Sequence, residues 1–207
     1  MVGIPVIDTG RDTGRMDIGT KDTGSMTVDE FYAFTDTRPD HEKWELIEGE
    51  PVLNASPLDV HQWIVRDVLG LLLMWEWAHD PPWAVLSDFG VRVSEKNRPE
   101  PDIVVFPSEH HGPEGRRDRN DVIVVFEVLS PSTEERDLGW KRKAYTSLSS
   151  LTHYIVISQD DVEVMVFARD DKFEGRKIKS LDEVIELRSL AVSLPMAEIY
   201  RGTGLTA

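Results

Sequence analysis

The chain contains no cysteine in its 207 residues. Disulfides, thiolate nucleophiles and cysteine-ligated metal centres are thereby excluded. It is also short of positive charge, with 23 Lys and Arg against 38 Asp and Glu and a formal net charge of −15. A simple non-specific DNA binder carries a basic footprint, so that class is disfavoured. A carboxylate-rich site that takes up divalent cations is still compatible with this charge, because the cations screen an approaching polyanion. Long apolar runs are missing too. The longest apolar region, 68–77, carries Glu76 and falls short of the roughly 18 residues that a membrane span needs. No basic segment followed by an apolar one opens the chain, so no secretory signal is read there. The expectations are no membrane association and a cytoplasmic location.

What remains is ordinary for a globular domain: 40% hydrophobic and 29% charged residues. Residues 1–25 stand apart. Gly, Thr and Asp dominate them, with Asp8, Asp12, Asp17 and Asp22 recurring in similar settings. These residue types favour turns and resist packing, so a flexible tail is expected, followed by one domain over 26–207. The string Val6-Ile7-Asp8-Thr9-Gly10 has the look of an aspartic-protease turn, but no second lobe supplies a matching aspartate. The Asp spacing is too irregular for EF-hand calcium loops.

Thr27 and Glu30 form a capping-box pattern and predict a short helix to about Thr35. Residues 44–53 read as a strand or hairpin through Gly49. The best helix runs over 57–79, with Val60, Ile64, Val68, Leu71, Leu72 and Trp75 at helical spacing and Pro81-Pro82 as a stop. Residues 84–94 read as a strand, and 102–106 and 122–129 as two apolar strands. A second helix is predicted over 134–149, a hairpin over 153–158 and 162–168, and edge strands near 172–178 and 185–187. A last helical turn is predicted over 195–200. Helices and strands do not alternate strictly, which disfavours a doubly wound parallel sheet and favours a mixed sheet flanked by helices.

The two central strands carry the first chemical signal. If Phe106 faces Ile123 in an antiparallel pair, then Val104 faces Val125 and Asp102 faces Glu127. Two carboxylates then meet at one end of an otherwise apolar sheet, where like charges repel and partial burial worsens the repulsion. A shared proton, a Lys or Arg, or a divalent cation would settle them. Of the cations, Mg²⁺ or Mn²⁺ suits a pair of carboxylates completed by water and phosphate. The plainer alternative is that Asp102 merely precedes a strand and Glu127 pairs with a nearby arginine. The helix after the second strand sets Asp137, Lys141 and Tyr145 on one face at i, i+4 and i+8. Packed back across the sheet, Lys141 would reach the acid pair, where a lysine can hold an attacking water or stabilise a phosphorane-like charge. The alternative there is a solvated Asp137–Lys141 salt bridge.

Pro101-Asp102, then Glu127-Val128-Leu129-Ser130-Pro131-Ser132-Thr133, then Asp137-x-x-x-Lys141-x-x-x-Tyr145 together resemble the Uma-two-type family of restriction endonucleases, within the PD-(D/E)xK nuclease superfamily. Thr27–Phe34, Trp44–Glu50, Ser56-Pro57 with His61-Gln62, and His153–Val156 extend the resemblance over about residues 26–200. It implies an α/β, restriction-endonuclease-like mixed β-sheet flanked by helices, and Mg²⁺- or Mn²⁺-dependent hydrolysis of phosphodiesters in DNA. Asp102 and Glu127 would hold the metal. The superfamily's acid-x-Lys string is broken here by Leu129, so the resemblance implies that the lysine has moved to Lys141. Glu45 would be the early acidic residue and a further ligand, directly or through water. His61 would face phosphate or water, and Ser130 and Tyr145 would orient Glu127 or Lys141. His110-His111 read as solvated loop residues. The Trp-rich helix over 57–79 and the resemblance both point to a homodimer. The rival reading is a catalytically inactive module that keeps the nuclease fold for binding or regulation.

Overall fold

The computed structural model describes residues 25–108, 115–130 and 133–206. The tail assigned to 1–25 therefore lies outside the described residues except for Ser25, and His110-His111 lie outside them as well.

Helix α1 (Val28–Thr35) begins at the capping box: Thr27 accepts from the Glu30 N–H while the Glu30 carboxylate accepts from the Thr27 N–H at 2.8 Å. It buries Val28 and Phe31 against Leu46 of β1 (Trp44–Ile47). Strand β1 turns back into β2 (Glu50–Leu53) through Glu48 and Gly49, both at positive φ (52° and 81°). This is the pair of left-handed residues that a two-residue hairpin turn requires. Gly49 is needed for a second reason, because a Cβ there would lie 2.0 Å from Ser25 Oγ. A bridge between Leu46 and Arg98 stitches this hairpin to the segment leading to Asp102, with N–H to O bonds of 3.1 and 2.8 Å.

Helix α2 (Asp59–His79) buries Ile64, Val68 and Leu72 and ends at Asp80 in the left-handed region, before the two prolines. The single strand expected over 84–94 is two: β3 (Trp83–Ser87) and β4 (Gly90–Val91), broken where Asp88 takes φ 51°. Strands β5 (Ile103–Pro107), β7 (Val124–Leu129), β8 (His153–Ser158), β9 (Val164–Ala168) and β10 (Arg176–Ile178) join β3 in a six-stranded sheet ordered β10-β9-β8-β7-β5-β3. Only β7 and β8 in this sheet run parallel, as their helical crossover requires. The short β6 (Asp118–Arg119), which the sequence pattern did not suggest, pairs in parallel with β4.

Alternation along the buried strands splits the core into two layers. Ile103, Val105, Val124, Phe126, Ile155 and Ile157 pack under α2, together with a separate hairpin of β11 (Val184–Leu187) and β12 (Val192–Pro195) and the terminal helix α5 (Met196–Ile199). Val104, Val125, Tyr154 and Val156 pack on the other face with Tyr145 and Leu148. β3 and β10 are the two edges of the sheet, and at β3 the Val85 N–H donates to the Glu76 carboxylate at 3.2 Å.

Candidate functional site

Strands β5 and β7 pair antiparallel with Val104 opposite Val125 and Ile103 opposite Phe126. This is the register that sets Asp102 against Glu127. Asp102 sits just ahead of β5, and its Oδ2 accepts the Val128 N–H at 2.7 Å, which ties it to the strand that carries Glu127. His61 of α2 brings Nε2 to 3.4 Å from the same oxygen. Both acids line one cleft of about 260 Å³, together with His61, Ser130, Arg136, Asp137, Lys141 and Gln159.

The helical crossover is three pieces: α3 (Glu134–Arg136), a π-helical turn (Asp137–Lys141) and α4 (Arg142–Thr146). The sequence pattern suggested one regular helix to Ser149. The π turn has local causes. Gly139 lacks a side chain at its centre, the Asp137 carbonyl accepts from both the Arg142 N–H and the Tyr154 hydroxyl, and Asp137 and Lys141 are both drawn inward. Such turns recur at functional sites.

Lys141 is the hub of the arrangement. Its ammonium lies 2.9 Å from Glu45 Oε1, 2.9 Å from Glu127 Oε1 and 3.3 Å from Asp137 Oδ1, and its side chain is only 3% exposed. The contact to Glu127 Oε1 is a hydrogen bond, whereas Asp137 Oδ1 has no hydrogen-bond partner among the described residues and meets the ammonium as an ion pair. Burial opposes its charge, but Glu127, Glu45 and Asp137 overcome that and hold it protonated well above the usual lysine range. Tyr145 donates a second bond to Glu127 Oε1 at 3.0 Å.

Glu45 comes from β1 and is fully buried. Its Oε1 also accepts the Glu100 N–H at 2.8 Å, and its Oε2 lies 3.4 Å from Arg136, which is anchored in turn on Asn54 at 2.8 Å. Burial pushes the Glu45 carboxyl up, but Lys141, the Glu100 N–H and Arg136 leave it below the ordinary carboxylate range. Glu127 has the opposite outcome. Burial comes first, Lys141 offsets only part of it, and Asp137, Asp102 and Glu45 repel it, so its carboxyl is held well above the ordinary range. Asp137 is raised for the same reasons. Fully ionised, the four acids (Glu45, Asp102, Glu127, Asp137) would exceed the two cations (Lys141, Arg136) by two charges, and the raised carboxyls of Glu127 and Asp137 answer that excess.

A divalent cation fits the same excess. Among the described residues Glu127 Oε2 accepts no hydrogen bond, and it is not among the enclosed, partnerless atoms, so it faces the cleft. Asp102 Oδ1 likewise receives no donor from the described residues. Two such oxygens suit Mg²⁺ or Mn²⁺, which take one or two carboxylates and complete their shell with water and phosphate. A richer protein cage is not seen: among the described residues, no group of three or more His, Asp or Glu is disposed to hold a metal. Glu45 is turned toward cations.

Ser130 lines the cleft wall, its Oγ 3.1 Å from Thr133 Oγ1. The sequence reading passed over Arg136 and Gln159. Arg136 was visible only as one charge in a helix start, and Gln159 as one polar residue before Asp160-Asp161. The Trp residues divide: Trp44 packs edge-on against Phe34, Trp75 stacks on His79, and Trp63 and Trp77 are exposed.

A model of the Uma2 family, described as putative restriction endonucleases, matches residues 28–197. An uncharacterised protein of Synechocystis is 34% identical over 80 residues, and the match spans 38% of this chain and 42% of that curated relative. A crystal structure described as a putative nuclease belonging to DUF820, from Anabaena variabilis, shares the fold at a TM-score of 0.70 and 18% identity. That match covers 85% of this chain and 98% of the other. Among the described residues, no helix is long and apolar enough to cross a membrane.

Proposed function

The chain belongs to the Uma2 family of putative restriction endonucleases, and from that premise we propose that it hydrolyses phosphodiester bonds in DNA with Mg²⁺ or Mn²⁺ held by Asp102 and Glu127. The observation that carries this reading is the cleft that brings both acids together, with carboxyls outnumbering cations around one buried lysine. When bound, the cation supplies Lewis acidity: it draws charge from the phosphate oxygens and lowers the pKa of water.

The chain's own groups prepare that site. The Val128 N–H fixes Asp102, and Lys141 and Tyr145 fix Glu127 through one oxygen, leaving the other for the cleft. Glu45 and Asp137 hold Lys141 in place, so it serves as a fixed positive charge at the cleft wall. Attack by water forms one phosphorus–oxygen bond as one ester bond breaks. One water hydrogen ends on the leaving oxygen, and the other is lost to solvent as the monoester ionises.

The test is cleavage of DNA by the full chain in Mg²⁺ and in Mn²⁺, comparing wild type with Asp102→Asn and Glu127→Gln. Each variant should lose about 10²-fold or more in rate while remaining folded at the assay temperature. Full activity in Glu127→Gln ends the assignment. A second reading, a binding or regulatory module without catalysis, is favoured by the commitment of Lys141 to carboxylates. Calorimetric Mn²⁺ titration separates the two, since the enzyme must bind the ion in the millimolar range or tighter.

A further inference from the structure

The outward side of α2 is not that of a solvated helix. Its inner side buries His61, Ile64, Val68 and Leu72. On the opposite side Trp63, Arg66, Gly70, Met74 and Trp77 follow one another at helical spacing. A surface helix usually turns charged and polar residues outward there. Here Trp77 is 76% exposed, Met74 69% and Trp63 40%. The charged residues within 63–77 are Arg66, Asp67 and Glu76, and each is engaged inside its own copy. The Arg66 Nε–H donates to Asp67 at 2.9 Å, and the guanidinium lies over the Trp63 ring at 3.8 Å. Glu76 accepts the Val85 N–H. In a chain of net charge −15, two copies can meet along this ridge without setting acid against acid.

Gly70 stands at the middle of the ridge. It lies seven residues from each tryptophan and four from both Arg66 and Met74. Its φ is not left-handed, and a Cβ added there would meet nothing within 4 Å among the described residues. Neither backbone conformation nor packing within its own copy therefore calls for glycine, a weak helix former. What glycine leaves there is room for a second helix to approach.

The symmetry of the pattern says which helix fits. A twofold contact must be self-complementary. Turning α2 end for end about Gly70 carries Trp63 onto the place of Trp77, and Arg66 onto that of Met74. Aromatic then meets aromatic at both ends, about 10 Å from the axis at 1.5 Å rise per residue. The apolar stem of each Arg66 meets Met74 of the other copy, and the helix dipoles oppose. The area is of the right order as well. On the scale of 150–250 Å² for a large side chain, the exposed parts of Trp63, Met74 and Trp77 come to roughly 400 Å² per copy. That is about half of the ~800 Å² per partner that a stable dimer covers, and exposed Gln62 and Ala78 extend the patch on either flank.

We propose that α2 packs antiparallel on α2 of a second copy of this chain, across a twofold axis at Gly70, with Trp63 of each copy against Trp77 of the other. His61 reaches Asp102 from the inner side of the helix, so both clefts stay open. The contact stands independently of the phosphodiesterase reading.

The experiment follows the full chain by sedimentation velocity from micromolar to submillimolar concentration. Wild type should form a dimer in this range. Trp77→Ala should weaken it by about 10²-fold or more, because a twofold contact loses the same anchor twice. Gly70→Leu places a good helix former at an open position, so it should melt at or above wild type when dilute. It should nevertheless weaken the dimer by about tenfold or more, by overfilling the crossing. The register is read by thiol cross-linking with diamide, since the chain has no cysteine of its own. Gly70→Cys should link to itself. Arg66→Cys mixed with Met74→Cys should link in higher yield than either variant alone. A wild type that stays monomeric throughout overturns the proposal and leaves the ridge to another segment of the chain or to a different protein. A dimer that Trp77→Ala leaves intact overturns it, as does one that Gly70→Leu does not weaken. So does Arg66→Cys or Met74→Cys linking to itself as well as the mixture does.

Discussion

Replacing Lys141 by Met removes the ammonium while keeping most of the stem volume, and it leaves Glu45, Glu127 and Asp137 facing one another in a buried space. Removing one partner of a buried ion pair costs roughly 3–5 kcal/mol. The alternative open to the variant is to take up a proton. Neutralising one ordinary glutamate, with reference pKa 4.5, at pH 7 costs about 3.4 kcal/mol at 1.36 kcal/mol per unit. The two routes agree, so Lys141→Met should lose about 3–4 kcal/mol at pH 7, or roughly 6–16 °C in Tm for a chain of this size. The pH dependence has a definite sign. The variant's folded state holds its acids protonated to higher pH than the unfolded chain does, so it binds more protons folded, and its stability rises as pH falls. Its deficit against wild type should therefore narrow as pH drops from 7 toward 4.5, by up to about 1.4 kcal/mol per unit for each acid that the variant protonates and the wild type keeps ionised. Urea melts in chelator at pH 7, 6 and 5 measure this. A deficit below about 1 kcal/mol at pH 7, the scale of an exposed pair, or one that does not narrow, would refute the view that Lys141 is the countercharge of a buried acid ring.

Tyr145→Phe removes one of the two donors on Glu127 Oε1 and should cost about 1.5–3 kcal/mol of stability, as for a hydrogen bond to a charged group, with a lower kcat on DNA at unchanged KM. Thr27→Ala breaks the capping box of α1 and should lower stability by about 1 kcal/mol in a urea melt without changing Mn²⁺ affinity. The Glu163 carboxyl is held below its ordinary range by hydrogen bonds from Lys177 and Lys179. Its depressed pKa favours the folded state above about pH 4.5, and that contribution is lost as pH falls through the folded-state value. A Glu163→Gln variant should therefore show a shallower acid limb in a plot of urea midpoint against pH.

The sheet was legible because its central strands are apolar on both faces and end on acids. The register that pairs Val104 with Val125 was reached by supposing that Phe106 faces Ile123, and it is the register found. The Asp137, Lys141, Tyr145 face was legible from helical spacing, and all three residues are buried. The width of the π turn was not, because it depends on the Tyr154 hydroxyl arriving from a strand seventeen residues away. The break in the strand at Asp88 was hidden for a similar reason: its Asp102 carbonyl partner is distant in sequence, and one Asp inside an apolar run is only a weak sign of a left-handed residue. Gln159 could not be singled out, since a place on the cleft wall is defined by what surrounds it.

The Glu76 carboxylate on the Val85 N–H bears on how two copies could meet. β3 is the longer of the two edge strands of the six-stranded sheet, and an edge strand is the usual seam for chain-to-chain zippering. A helix side chain already occupies one rung of that ladder with a negative charge. An incoming strand would have to evict it and leave it unsolvated, so the sheet is closed to growth at this border. Beside this border, the exposed Trp63, Met74 and Trp77 of α2 offer an apolar surface on which side chains of a second copy could pack.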